Sequence, residues 1–169
     1  MLDFLSCLAL LGTTVQAAEV PAGCHPELVE SGEYDANQLN TAGYRCYKEK
    51  KYGEAALLFG GATMVDDKLA LAHYNLACTL ALLRKENKVC DNDAYLDRIL
   101  AHLEQAVALD SGRREKMQSD ADLEELRTTV RYHQLAGVDI ATAEGLAKVL
   151  PHLRFYSPSN GAYGSQIKL

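Results

Sequence analysis

The sequence predicts an all-helical protein built from antiparallel helical hairpins that pack side by side. Apolar and small residues recur at helical spacing through residues 36–69, and a related pattern begins 34 residues later, at residue 70. A polar break around residues 49–51 divides the first pattern into two helices, approximately 36–49 and 52–65. Because the break is short, these helices are expected to pack antiparallel as a hairpin.

The composition is that of a folded domain that does not bind nucleic acid. The 169 residues are 48% hydrophobic and 24% charged, which is sufficient for one domain with a packed core. Trp is absent, so Leu, Ala and Val are expected to fill a core of closely packed helices. The net charge of -6 provides no excess of Lys and Arg for phosphates, and it is easier to reconcile with a basic partner.

The first residues predict a secretion signal. Residues 4–12 form an apolar run too short to span a bilayer, and small residues follow up to Ala17. We therefore interpret residues 1–17 as a signal peptide and expect a periplasmic or secreted mature chain with no membrane insertion. The first three residues contain no Lys or Arg, so an ordinary N-terminal helix is the alternative.

The cysteines predict two disulfides if the chain is exported. Removal of residues 1–17 leaves Cys24, Cys46, Cys78 and Cys90, an even number in an oxidising compartment. Of the three possible pairings we favour Cys24 with Cys46 and Cys78 with Cys90, because each joins a helix position to a segment or loop folding back beside it. The alternative is four free, buried thiols in a reducing compartment.

The first helical pair resembles a known repeat. Its small and aromatic residues stand at Gly43, Tyr52, Ala55, Phe59 and Ala62. This order resembles the tetratricopeptide repeat, in which small residues lie where two helices touch and aromatic residues fill the gaps. The resemblance implies a short right-handed superhelix of helical hairpins. Cys46 replaces a preferred tyrosine and Asp67 a preferred proline, which affects one filler position and the turn.

A second unit is predicted at residues 70–111. Residues 74–77, Tyr-Asn-Leu-Ala, resemble the family's first helix, and Ala106 and Asp110 resemble its closing pattern. A polar insert near 85–94, which contains Cys90, lengthens the unit by about ten residues and is expected to form a loop.

Residues 112–136 are expected to cap the repeats. After a short polar helix or turn, one helix is predicted over 120–136, with Asp120 as its N-cap and an apolar side formed by Leu123, Leu126, Val130 and Leu135. The acidic residues Asp120, Asp122, Glu124 and Glu125 are interpreted as a negative first helical turn and not as a cation site. This segment also looks like the closing segment of some bacterial tetratricopeptide arrays.

The last part, residues 137–169, changes character along its length. A helix is predicted over 141–153, with Pro151 weakening its last turn. Turn-forming residues follow, and then a strand-like stretch at 165–169. This stretch has no predicted partner, so the tail is interpreted either as a disordered terminus or as the start of a β-rich domain.

The sequence contains no pattern typical of an enzyme, metal site or cofactor site. None of the five histidines has a partner at i+3 or i+4, and His73 and His102 fall where the repeat assigns packing roles. Serine nucleophile elbows and phosphate-binding glycine loops are missing. We therefore expect a non-catalytic protein without a cofactor.

The resemblance implies a function in polypeptide binding. In the family, the first helix of each unit lines a groove that accepts a peptide. Carried over, the groove would present Asn37, Asn40, Thr41, Tyr44, Tyr47 and Lys48 from the first unit, and Leu71, Tyr74, Asn75, Ala81 and Leu82 from the second.

Within this groove the three tyrosines are expected to be exposed anchors, and Asn75 to bond the backbone of a bound peptide. The family's lysine clamp for terminal carboxylates is replaced by Asn40 and Tyr44. We predict a scaffold for a protein or peptide partner, with weak self-association through an exposed helical edge. The alternative is a non-catalytic helical module of a longer protein whose C-terminal β-rich domain carries the activity.

Overall fold

A computed structural model of the chain describes residues 19–86, 93–153, 155–157 and 165–167. The predicted signal peptide at 1–17 lies outside these ranges, as does Cys90 with most of the predicted insert. In the described residues, helices follow one another from Leu28 to His152, and two short strands come last. The prediction of an all-helical, repeat-like fold is confirmed.

Long helices form the middle of the chain, and shorter elements flank them. The α-helices are α1 (Leu28–Ser31), α2 (Ala36–Lys48), α3 (Tyr52–Val65), α4 (Ala70–Lys85), α5 (Asp93–Leu109), α6 (Arg113–Ser119), α7 (Val130–Leu135) and α8 (Ala143–Val149). A 3-10 helix, Ala121–Thr128, lies between α6 and α7 and is called the capping 3-10 helix below, and a second one, Leu150–His152, follows α8. The strands are β1 (Phe155–Ser157) and β2 (Ser165–Ile167).

The first hairpin, α2 with α3, matches its predicted bounds. The Asp35 side chain accepts a hydrogen bond from the Gln38 backbone N–H at 2.8 Å, and the Gln38 side chain accepts one from the Asp35 N–H at 2.8 Å. This reciprocal capping box satisfies two donors that have no partner within the helix. After α2, Lys50 takes a left-handed conformation with φ of 59°, which turns the chain into α3.

Small residues let the two helices approach closely. A Cβ atom added to Gly43 would lie only 2.8 Å from two carbon atoms of the Phe59 ring. Ala42, Ala55 and Ala62 are fully buried around this contact. The predicted small and aromatic positions therefore form the α2–α3 interface, as the resemblance to the repeat implied.

The second hairpin continues the stack. Helix α3 packs on α4 as well as on α2, and α4 packs on α5. Ala77 and Ala106 are fully buried, and so are Ile99 and Leu103 on the core side of α5. One continuous core therefore runs through all four helices.

The capping segment differs from its prediction. The prediction of one continuous helix over residues 120–136 is wrong, because two separate helices occupy this range. The capping 3-10 helix ends at Thr128, and Thr129 is extended before α7 begins. The Thr129 hydroxyl donates to the Leu126 carbonyl at 2.7 Å and accepts from the Tyr132 N–H. Such local side-chain bonds compete with a continuous helix. The predicted N-cap at Asp120 is present, since its side chain accepts from the Asp122 N–H.

The strand predicted near the end of the chain has a partner. Strand β2 pairs antiparallel with β1, with Phe155 opposite Ile167 and Ser157 opposite Ser165. The expectation of an unpaired strand is therefore wrong.

The cysteine prediction is half confirmed. Cys24 and Cys46 form a disulfide that ties the N-terminal segment to α2. The Arg45 guanidinium reinforces this link by donating to the carbonyls of Val20 and Pro21. Cys78 is a free, buried thiol whose Sγ lies 3.9 Å from an Asp120 carboxylate oxygen, and Cys90, its predicted disulfide partner, lies outside the described residues.

The described helices include none with the length and apolar character needed to cross a bilayer.

We predict that Gly43→Ala lowers the free energy of unfolding by about 1–2 kcal/mol. The added methyl must displace the Phe59 ring, and overpacking outweighs the gain in helix propensity. Gly60→Ala is the matched control, because beyond its chain neighbours and its own helix backbone no atom lies within 4 Å of the added Cβ, and the free energy of unfolding should rise by about 0.5–1 kcal/mol. Urea unfolding followed by circular dichroism measures both, and equal effects would contradict the close contact.

We predict that Cys24→Ser lowers the free energy of unfolding by about 3 kcal/mol in non-reducing buffer, because the lost cross-link no longer restrains the unfolded chain. In dithiothreitol the variant and the original chain should unfold alike. A difference that persists under reducing conditions would assign the effect to packing of Cys24 instead.

Candidate partner-binding cavity

The predicted groove residues fall into three groups by exposure. Those exposed to solvent are Asn37, Thr41, Tyr44 and Lys48, all on α2. The half-buried ones are Tyr47, Leu71, Asn75 and Leu82. The buried ones are Asn40, Tyr74 and Ala81. The expectation that Tyr74 is exposed is wrong, since only 1% of its surface is accessible.

Four of these residues share one cavity of about 230 Å³. Its lining consists of Tyr44, Tyr47, Phe59, Tyr74, Asn75, Cys78, Lys116, Asp120 and Asp122. Tyr44 and Tyr47 stack with ring centroids 5.9 Å apart, and Tyr44 is 52% exposed at the solvent side. The cavity therefore has an aromatic wall from α2 and α4, and its opposite wall contains charged residues.

Two tyrosine–aspartate hydrogen bonds bring the charged wall into place. The Tyr47 hydroxyl donates to the Asp122 carboxylate at 2.7 Å, and the Tyr74 hydroxyl donates to the Asp120 carboxylate at 2.8 Å. Leu123 and Leu126 on the same segment are buried, and the capping 3-10 helix packs on α4. The segment predicted only to cap the last repeat thus also closes one side of the groove.

Sequence reasoning missed these two contacts. It interpreted the aspartates as helix-terminal charges, and for Asp120 the N-cap is real. Tyr47 and Asp122 are 75 residues apart, and no periodicity connects them. The only available signal was that a cap must pack somewhere on the last repeat.

Asn75 is already engaged within the chain. Its side-chain amide donates to the side-chain Oδ1 of Asn40 at 2.9 Å, which links α4 to α2. Because that donor is used internally, the predicted bond from Asn75 to a bound peptide would require this pair to open.

Burial raises the pKa values of several side chains that line the cavity. It raises the pKa of Tyr47 and that of Tyr74, so both hydroxyls stay protonated and can donate. Burial also raises the pKa of the Asp122 carboxyl, and the neighbouring Asp120 adds to this. The pKa of the Cys78 thiol is raised by burial first and then by both aspartates, so it remains a thiol and not a nucleophilic thiolate.

Cys78, Asp120 and Asp122 place one ligand atom each within 4.8 Å of the others. Metal ligation requires a deprotonated thiol, and the raised pKa of Cys78 opposes it. A soft thiol beside two hard carboxylates also matches no single metal preference. This group therefore carries no argument for a metal.

The histidines meet in pairs that spacing along the chain did not reveal. The Nδ1 atoms of His73 and His102 lie 3.0 Å apart between α4 and α5, and His73 Nε2 lies 3.0 Å from the Asp67 carbonyl. A carbonyl only accepts, so His73 donates from Nε2 and accepts at Nδ1 from His102. Burial, His73 and Arg98 lower the pKa of His102 to about 4.

We predict that this pair makes stability fall in mild acid. The unfolded His102 takes up a proton near its ordinary pKa of 6.5, whereas the folded side chain does so only near 4. The contribution of neutral His102 to the free energy of unfolding is thus complete above pH 6.5 and is lost as the pH falls towards 4. Between pH 7 and pH 5 full linkage would lower the free energy of unfolding by about 2 kcal/mol, and because solvent screens the half-buried side chain we expect a drop of about 1 kcal/mol from this source.

Urea unfolding measures this at the two pH values. Between pH 7 and pH 5 the free energy of unfolding of His102→Asn should fall by about 1 kcal/mol less than that of the original chain. His25→Asn is the control, because Glu27 raises the pKa of exposed His25 and its loss cannot make the drop smaller. An unchanged pH dependence in His102→Asn would show that the pair is not a neutral, buried contact.

Compared with protein-family models, with curated proteins and with solved structures, the chain matches none.

Proposed function

We propose that this chain is a tetratricopeptide-type protein that binds a polypeptide partner on the inner face of its helical hairpins. The observation that carries the proposal is the cavity. Tyr44, Tyr47, Tyr74 and Asn75, selected from the sequence as groove residues, line a single opening on α2 and α4. A concave, partly aromatic site with a few polar groups is a common form of recognition site.

The surface beside the cavity supports a peptide-sized contact. Asn37, Thr41, Tyr44 and Lys48 follow one another along α2 at spacings of three and four, and all are exposed. Residues at these spacings lie on one face of a helix. A bound segment would run along this face, with the half-exposed ring of Tyr44 as its central anchor.

We propose further that the protein acts after export. The Cys24–Cys46 disulfide supports this, since disulfides persist in oxidising compartments and are rare in the cytosol. The net charge of -6 argues against a nucleic acid partner.

The test is capture of a partner from the extracellular or envelope fraction by the immobilised, disulfide-bonded chain, with mass spectrometry of the bound protein. We predict that Tyr44→Ala reduces the captured amount at least tenfold, because truncating an interface anchor costs about 2 kcal/mol. Tyr44 is preferred over Tyr74, whose ring is part of the core.

Leu57→Ala is the matched control. Leu57 is a large side chain, 62% exposed on α3, and it does not line the cavity. Capture should be unchanged in this variant, and both variants should keep the helical circular dichroism of the original chain. Full capture by Tyr44→Ala would place the binding surface elsewhere.

A further inference from the structure

The cavity has an excess of negative charge at its inner wall. Asp120 and Asp122 line it together, and within the described part of the chain neither carboxylate has an ion-pair partner within 4.0 Å. Their contacts from Tyr74 and Tyr47 come from neutral hydroxyls, which supply hydrogen bonds but no positive charge. Half-buried charges are normally compensated by an opposite charge.

The positively charged side chains near the cavity are mostly engaged elsewhere and do not neutralise the carboxylates of Asp120 and Asp122. Lys85 pairs with Glu124 at 3.4 Å, and Arg113 pairs with Asp110 at 2.9 Å. Arg127 donates to the Asp120 backbone carbonyl and not to its carboxylate. Of the residues lining the cavity, Lys116 supplies the positive charge, and its side chain is exposed.

Lys116 also shows where an ammonium group can sit. Its Nζ lies 5.2 Å from the centroid of the Tyr74 ring, and Lys48 Nζ lies 6.0 Å from that of Tyr44. Aromatic faces at such distances attract cations through the ring quadrupole. The chain's own lysines thus already use the rings that border the cavity.

The space is sufficient for a side chain. At about 230 Å³ the cavity is larger than the ~150 Å³ that holds a benzene molecule in an engineered protein cavity. Its exposed rim at Tyr44 belongs to the α2 face proposed above for the partner. An extended segment lying on that face could therefore direct one side chain inward.

We propose that the cavity takes the ammonium group of a lysine side chain from a basic segment of the partner, between the tyrosine rings and the carboxylates of Asp120 and Asp122. This inference rests on the proposed function and names the chemistry of the partner. The incoming ammonium replaces that of Lys116, which swings out to solvent. The acidic net charge of the chain assists the approach of such a segment.

The experiment uses the full disulfide-bonded chain and a fluorescein-labelled peptide of alternating glycine and lysine, followed by fluorescence anisotropy at low salt. Asp122→Asn should weaken binding about fivefold, because it removes one of the two carboxylates. Asparagine keeps an oxygen that can accept from the Tyr47 hydroxyl. Lys116→Gln should strengthen binding about threefold, because it removes the competing cation.

The opposite signs separate binding from folding, since a damaged fold cannot tighten the complex. Glu115→Gln and Lys68→Gln are the matched controls, because they change the net charge by the same amounts at exposed residues outside the cavity lining. Both should bind like the original chain. If Glu115→Gln weakens binding as much as Asp122→Asn does, the attraction belongs to the whole surface and the inference is overturned.

Three further outcomes separate this inference from the proposed function. If Tyr44→Ala loses the captured partner but Asp122→Asn and Lys116→Gln capture it normally, the groove binds a polypeptide without a lysine in the cavity. If neither the peptide nor spermidine binds the chain, with spermidine followed by isothermal titration calorimetry, the cationic site is absent whatever the capture shows. Binding of spermidine with no binding of the peptide would indicate a small-molecule site and would also overturn the inference.

Discussion

The contact of Gly43 with the Phe59 ring sets the distance between α2 and α3. With only 2.8 Å available for a Cβ atom, no larger residue fits without moving the ring. Because α3 packs on both α2 and α4, an error in this spacing would pass to the next hairpin. The inner face formed by α2 and α4, and therefore the position of every cavity residue on it, depends on this small-residue packing.

A second set of contacts converts that face into a cavity. The hydroxyls of Tyr47 and Tyr74 hold Asp122 and Asp120, while Leu123 and Leu126 bury the apolar side of the capping 3-10 helix. Burial of the leucines provides the non-directional part of this docking, and the two hydrogen bonds provide its register. Asp120 thus caps the 3-10 helix, and both aspartates dock the segment and give the cavity its charge.

The two described cysteines of the repeat show how position decides chemistry. Cys46 on α2 faces the N-terminal segment and forms a disulfide with Cys24. Cys78 on α4 faces the acidic wall, where burial and the two aspartates raise the pKa of its thiol. One residue type therefore acts as a covalent link in the first hairpin and as a small buried side chain in the second.

The sequence by itself determined the helical hairpins, because apolar and small residues at helical spacing act locally. The bounds of α2 and α3 and the Asp120 cap follow from neighbours within a few turns, and the resemblance to the repeat indicated the contact positions Gly43, Ala55 and Phe59. The Cys24–Cys46 pair was also accessible, since it joins a position on α2 to the N-terminal segment that folds back beside it.

Only the tertiary structure decided the site. The burial of Tyr74, the free thiol of Cys78 and the meeting of Tyr47 with Asp122 all depend on how the capping segment folds back over α4. Such contacts join residues far apart in the chain, and the balance of burial and hydrogen bonding that selects them exists only after the helices have packed.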